Sequence, residues 1–156
     1  MTIDKDDLLN SILASISRID YIKSEDIPNI DLYMDQVTSF MEKALKSTKR
    51  YPDDKILTKT MINNYAKNDL LPPPVKKKYS KEHLLVLTFI YYFKSLMSIG
   101  DIEKLLTPIT EKYFHSEGDL NITHIYDEVC AFDKERTKIL QEVTICIQIQ
   151  IISSHG

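Results

Sequence analysis

Five polar side chains fall on one short stretch of this chain: Lys59, Thr60, Asn63, Asn64 and Lys67. An asparagine amide can bond bidentately to adenine in the DNA major groove, worth about 1–3 kcal/mol of discrimination for a good pair. Flanking lysines neutralise phosphate. A second basic group follows, Lys76, Lys77 and Lys78, directly after Pro72–Pro74 and Val75, and Tyr79 adds a hydroxyl. Phosphate contacts of that kind position a protein on a duplex without reading its sequence. Together these residue types point to double-stranded DNA as a partner, with a helix on the base edges and a lysine run on the backbone. The bland alternative is an exposed polar helix face beside a solubilising lysine loop. Tyr65 and Tyr79 can likewise be core residues with wet hydroxyls.

Catalytic and metal chemistry finds no comparable set. His83, His115, His124 and His155 are scattered, and His124 and Cys130 have no third member. Glu82-His83 lacks the second histidine of a zinc-protease helix. Cys130 and Cys146 are not in a CxxC spacing, and Asp53-Asp54 sits in a loop beside lysines. The expectation is a chain that is not an enzyme, with no catalytic residue, no metal and no cofactor. A rival reading is a small-molecule sensor or enzyme with a pocket among Tyr91, Tyr92, Phe93 and Tyr113.

These residues need elements to hold them. The chain has 156 residues, 43% hydrophobic and 28% charged, with three glycines and no tryptophan. Scarce glycine disfavours phosphate-cradling loops and tight hairpins, both of which need backbone at positive φ, and fits an all-α chain. The net charge is −3, yet residues 46–83 carry ten lysines and arginines against four acids, +6 in an otherwise acidic protein. No signal-peptide pattern and no apolar run of membrane-spanning length occurs, so a cytoplasmic protein is expected.

Leu8, Ile12, Ile16 and Ile19 predict an amphipathic helix over residues 4–19. Asp31 reads as the N-cap of a helix to about Lys46, burying Met34, Val37, Met41 and Ala44/Leu45. Thr58 caps a helix over residues 59–68 with Met61, Ile62 and Tyr65 inward. Asn68 and Asp69 suit a left-handed helix end, and the prolines forbid continuation. Val75–Lys78 reads as a short extended piece. Ser80 caps a central core helix to about Leu96. Ser98, with Asp101 three residues on, caps the next, with Ile99, Ile102, Leu105 and Leu106 inward and Pro108 ending it. Ile109–Phe114 is then one or two further turns. From Ile122 the positions Ile125, Val129, Phe132, Ile139/Leu140, Val143, Ile147 and Ile151 suit a long helix with a coiled-coil-like seam. Alternation of β-branched residues over 143–151 leaves a strand open there. This divides the chain into an N-terminal helix (1–26), a central module (27–107) and a C-terminal helical segment (108–156).

The stretch LTKTMINNYAKNDLLPPPVKKKYS (Leu57–Ser80) resembles the helix-turn-helix and wing of MerR-type bacterial regulators. Thr58 stands at the cap, Tyr65 at the aromatic position, Leu70-Leu71-Pro72 at the stop and Tyr79-Ser80 at the next helix entry. LMSIGDIEKLL (Leu96–Leu106) resembles the helix pair after that wing. Over a longer span, Ile27–Leu106, the chain resembles the bacterial DUF1836 proteins. IDLYMDQV (Ile30–Val37), ILTKTMINNY (Ile56–Tyr65) and LLPPPVKKKYSKEH (Leu70–His83) carry that likeness. The resemblance implies a MerR-like winged helix-turn-helix module with a minimal wing and a role in transcription regulation. Duplex DNA would meet Lys59, Thr60, Asn63, Asn64 and Lys67 in its major groove, and Lys76, Lys77, Lys78 and Tyr79 would lie on phosphates. The C-terminal helical unit would dimerise two copies, because an exposed apolar seam needs a partner. Asn63 stands where MerR-type proteins carry arginine, Asp69 where they carry glycine, and the wing is short. Those departures frame the alternative, a protein-interaction module that keeps the fold and has lost DNA binding.

Overall fold

The computed structural model describes Asp7, residues 22–49 and residues 51–154; apart from Asp7, the helix expected over residues 4–19 lies outside them, as does Arg50. The chain is mainly α. Among the described residues five α-helices occur, α1 Met34–Ala44, α2 Lys59–Lys67, α3 Lys81–Phe93, α4 Ile99–Tyr113 and α5 Ile122–Ser154. A two-stranded antiparallel sheet joins β1 Leu32–Tyr33 to β2 Lys78–Tyr79, with Leu32 opposite Tyr79 and Tyr33 opposite Lys78. Residues Ile22–Glu128 form one compact unit, and Val129 onward belongs to a second.

In the first unit α3 is the central element. Every residue from His83 to Ile90 is buried, as expected of a helix that is apolar on most sides. Val37 and Met41 from α1, Leu45 just after it, Ile62 from α2, and Ile102 and Leu106 from α4 are buried within the same unit. The beginning of the unit is fixed by two tyrosines: Ile22 N–H donates to Tyr92 Oη (3.2 Å), and Tyr126 Oη–H donates to the Ile22 carbonyl (2.5 Å). The expected inward face of α4 holds for Ile102 and Leu106, while Ile99 and Leu105 are each 43% exposed.

Three local expectations are corrected. Asp31 does not cap α1. Leu32 and Tyr33 are drawn into the strand that pairs with β2, so the helix begins two residues later, and Gln36 Oε1 accepts the Tyr33 N–H (2.9 Å). Pro108 does not end α4, which continues to Tyr113. The turn beyond Pro108 is held from its far end: the Phe114 ring meets His83 edge-on at 4.9 Å, and His115 N–H donates to Glu82 Oε2 (2.7 Å). Pro108 lies on an exposed side of the helix, where water can solvate the carbonyl left without its donor. The third correction concerns glycine. A tight hairpin turn forms with none, because Lys76 (φ 51°) and Lys77 (φ 62°) take the left-handed backbone themselves.

Over residues 143–151 the helix reading holds, since α5 runs unbroken to Ser154. No helix among the described residues is long and apolar enough to cross a membrane.

Candidate nucleic-acid interface

Helix α2 is short because both of its ends are specified. Thr58 Oγ1 accepts the Met61 N–H (3.2 Å), satisfying a donor the first turn leaves unpaired. At the other end Asp69 adopts φ 59°, Leu70 N–H reaches the Tyr65 carbonyl (2.9 Å) and Asp69 N–H the Ala66 carbonyl (3.3 Å). That pair of bonds is the Schellman closure, with Asp69 where glycine is commonest. Leu70 and Leu71 then enter the core, 2% and 0% exposed. Ile62 and Tyr65 pin the inner face of α2, and burial pushes the Tyr65 phenol above its ordinary pKa.

The outer face carries Lys59, Thr60, Asn63, Asn64 and Lys67, all exposed. At about 100° per residue they occupy an arc of about 140°. Nine residues give a rod of roughly 14 Å, and a helix diameter of about 10–12 Å suits a major groove about 12 Å wide.

The lysine run is presented by a two-residue turn. Val75 and Lys78 exchange both backbone hydrogen bonds at 3.0 Å, and Lys76 and Lys77 lie between them with positive φ, the pattern of a type I′ hairpin turn. Lys76 and Lys77 are exposed and Lys78 is half-buried. Two features brace the turn. β2 pairs with β1 on one side. On the other, His83 reaches back to the prolines: its Nε2–H donates to the Pro73 carbonyl (3.1 Å), and its Nδ1 accepts the Ser80 N–H (3.0 Å). The imidazole is buried between the rings of Tyr79 and Phe114. That burial pushes its pKa below the usual histidine range, His115 pushing the same way while the Pro73 carbonyl and Glu82 pull upward.

Tyr79 is placed differently from the other expected site residues. It is 3% exposed and its ring packs edge-on against His83 at 5.5 Å. It supports the turn from the core and is not on the exposed surface.

Two residues not anticipated from the sequence connect the basic elements, and both lie at the junction of β1 and α1. Lys78 Nζ sits over the ring of Tyr33, 5.1 Å from its centroid, and Tyr33 is 54% exposed. Two residues further on, Asp35 in the first turn of α1 pairs with Lys59, the first residue of α2. The junction therefore touches the hairpin with one side chain and the polar helix with another. The available signal was the β-prone Leu-Tyr pair before Met34; its partner strand is 46 residues away and no local pattern names it. His83 did carry a local signal, three residues after the Ser80 cap where a capping box places Glu or Gln.

The arrangement offers cations, amides and a hydroxyl on exposed backbone-rigid elements. The Ser80 hydroxyl lies 2.9 Å from His83 Nδ1, but that imidazole is buried and also accepts the Ser80 N–H as part of the helix cap. Among the described residues no group of three or more His, Cys, Asp or Glu gathers to hold a metal.

The family described as Domain of unknown function (DUF1836) matches residues 22–129, which include α1 to α4, both strands and the start of α5. The chain belongs to the DUF1836 family. No curated protein and no solved structure matches it. Every exposed residue of the candidate interface lies inside the DUF1836 region, as does the Tyr33–Asp35 junction.

Proposed function

We propose that this DUF1836 protein binds double-stranded DNA as a transcription regulator of MerR-like winged helix-turn-helix type. Helix α2 enters the major groove, and the Lys76–Lys77 turn, a wing cut to two residues, lies on the phosphate backbone. The observation that carries the reading is the β1–α1 junction, which pairs Lys59 of α2 through Asp35 and Lys78 of the turn through Tyr33. The two basic elements thus contact the same short junction. Lys59, Thr60, Asn63, Asn64 and Lys67 supply base and phosphate contacts; Lys76, Lys77 and Lys78 supply phosphate contacts.

Selection of bound sequences from a random duplex library tests this directly. The expected result is a recovered site, and Lys76→Glu/Lys77→Glu abolishes binding to it and flattens its salt dependence. Failure of the wild-type protein to retain any duplex at low salt overturns the reading.

The second unit supports a second copy as partner. Phe132, Ile139, Leu140, Val143, Ile145, Ile147, Ile149 and Ile152 are exposed along α5, more than isolated surface hydrophobes explain. The same exposed side chains favour the alternative of a protein-interaction module, which retains the fold and contacts no DNA.

A further inference from the structure

The Asp35–Lys59 pair is built where a nucleic-acid surface least favours an acid. Asp35 stands at the first turn of α1, and its carboxylate meets the ammonium of the residue that opens α2. Both side chains are well exposed, 79% for Asp35 and 59% for Lys59. An ion pair this wet contributes little to folding. Its larger effect is on charge: it cancels one of the cations of the polar helix and sets a carboxylate beside the path of an approaching phosphate. Lys59 is also the cation closest to the α2 N-terminus, where the helix dipole already favours an anion. Asp35 thus gives Lys59 the negative charge that a phosphate would otherwise supply.

Resting on the duplex-binding reading above, we infer that Asp35 is a specificity-determining residue: it holds Lys59 off the DNA backbone until base contacts along α2 compensate for breaking the pair. On non-cognate duplex no such compensation exists, so Lys59 stays with Asp35 and one phosphate contact is withheld. On a cognate site Lys59 transfers to phosphate and Asp35 returns to water. Sequence-independent affinity comes almost wholly from phosphate neutralisation. Withholding one cation therefore lowers non-cognate binding more than cognate binding, which is discrimination by a repulsive element.

The test is fluorescence anisotropy on a labelled mixed-sequence duplex over a series of salt concentrations. It compares wild type, Asp35→Asn, Asp35→Glu, Lys59→Ala and the Asp35→Asn/Lys59→Ala double variant, each checked for folding by circular dichroism. Asp35→Asn is expected to bind about three- to tenfold more tightly, with a salt slope steeper by about 0.9, the value of one added phosphate contact. Asp35→Glu should behave as wild type. In the Lys59→Ala background the gain from Asp35→Asn should fall below about twofold, because the cation it releases is gone. A merely structural acid would give no coupling of that kind. Unchanged or weaker binding by Asp35→Asn, while the wild type binds, overturns the inference and leaves the DNA reading standing. An equal gain in both backgrounds also overturns it, since the effect is then general charge and not Lys59. Absence of duplex binding by wild type and Asp35→Asn alike overturns both.

Discussion

Lys76 and Lys77 hold backbone that L-residues rarely adopt, at roughly 1–2 kcal/mol per residue. Asn-Gly would serve a type I′ turn better, so the turn retains its lysines against the preference of its own backbone. If their ammonium groups bind phosphate, stability and binding must move in opposite directions on substitution. Lys76→Gly/Lys77→Gly is expected to raise the melting temperature by a few degrees, at about 2–4 °C per kcal/mol for a chain of this size, and to weaken duplex binding at least tenfold. Thermal denaturation and anisotropy on the same preparation read both. Asp69→Gly is the control. It relieves the same left-handed backbone at the end of α2 and removes no cation, so it should raise stability and leave binding intact.

At the scale of elements, what local chemistry specifies was legible in the sequence and what distant chain specifies was not. The Thr58 cap, the Asp69 stop, the Ser98 cap (Asp101 N–H to Ser98 Oγ, 3.2 Å) and the buried α3 follow from residues within a few positions of one another. Strand β1 and the passage of α4 through Pro108 follow from partners far along the chain, Tyr79 for Leu32 and His83 for Phe114. The candidate site divides the same way. Its exposed polar residues were visible as a set, while Tyr79 was misplaced because burial depends on the sheet, and Asp35 and Tyr33 were missed because their partners are on other elements.

His83 ties two such elements, α3 and the proline segment, and makes them sensitive to acid. Its Nδ1 accepts the Ser80 N–H, so a proton added there faces a donor. The folded-state pKa is lowered, chiefly by burial, against an unfolded value of about 6.5. The unfolded chain thus binds more protons, and stability rises with pH in this range. The contribution is complete above pH of about 6.5 and is lost as pH falls from there through the folded pKa. The groups around it are Ser80, Tyr79, Phe114, Glu82 and His115. Melting temperature measured from pH 7.5 to 5 should therefore fall, and His83→Gln should flatten the fall. Glutamine suits this capping position and does not titrate. An unaltered pH profile in that variant would sink the assignment.

For the whole molecule, charge and apolar surface are segregated along the chain. The basic excess lies in residues 46–83, and the exposed apolar side chains concentrate on α5 from Phe132 to Ile152. A helix of 33 residues is about 50 Å long, and most of the stability of a protein helix comes from packing rather than from propensity. Val143, Ile145, Ile147, Ile149 and Ile152 are each about half exposed or more. Water contact at so many β-branched side chains is unfavourable by about 25 cal/mol per Å² of apolar surface. A second copy offers the same surface in return, and two-fold pairing is the commonest way to bury one. A dimer would also double the phosphate contacts of each binding event and so steepen the salt dependence of duplex binding. Light scattering of the full chain at micromolar concentration is expected to give twice the monomer mass. Val143→Glu/Ile147→Glu should return it to one mass while leaving the folding of residues 22–128 intact, because those side chains lie outside that unit. If dimerisation serves DNA binding, that variant should bind duplex more weakly with a shallower salt slope, although every exposed lysine of the interface is still present. A monomer from the wild-type chain would leave the exposed apolar side chains of α5 to a different protein.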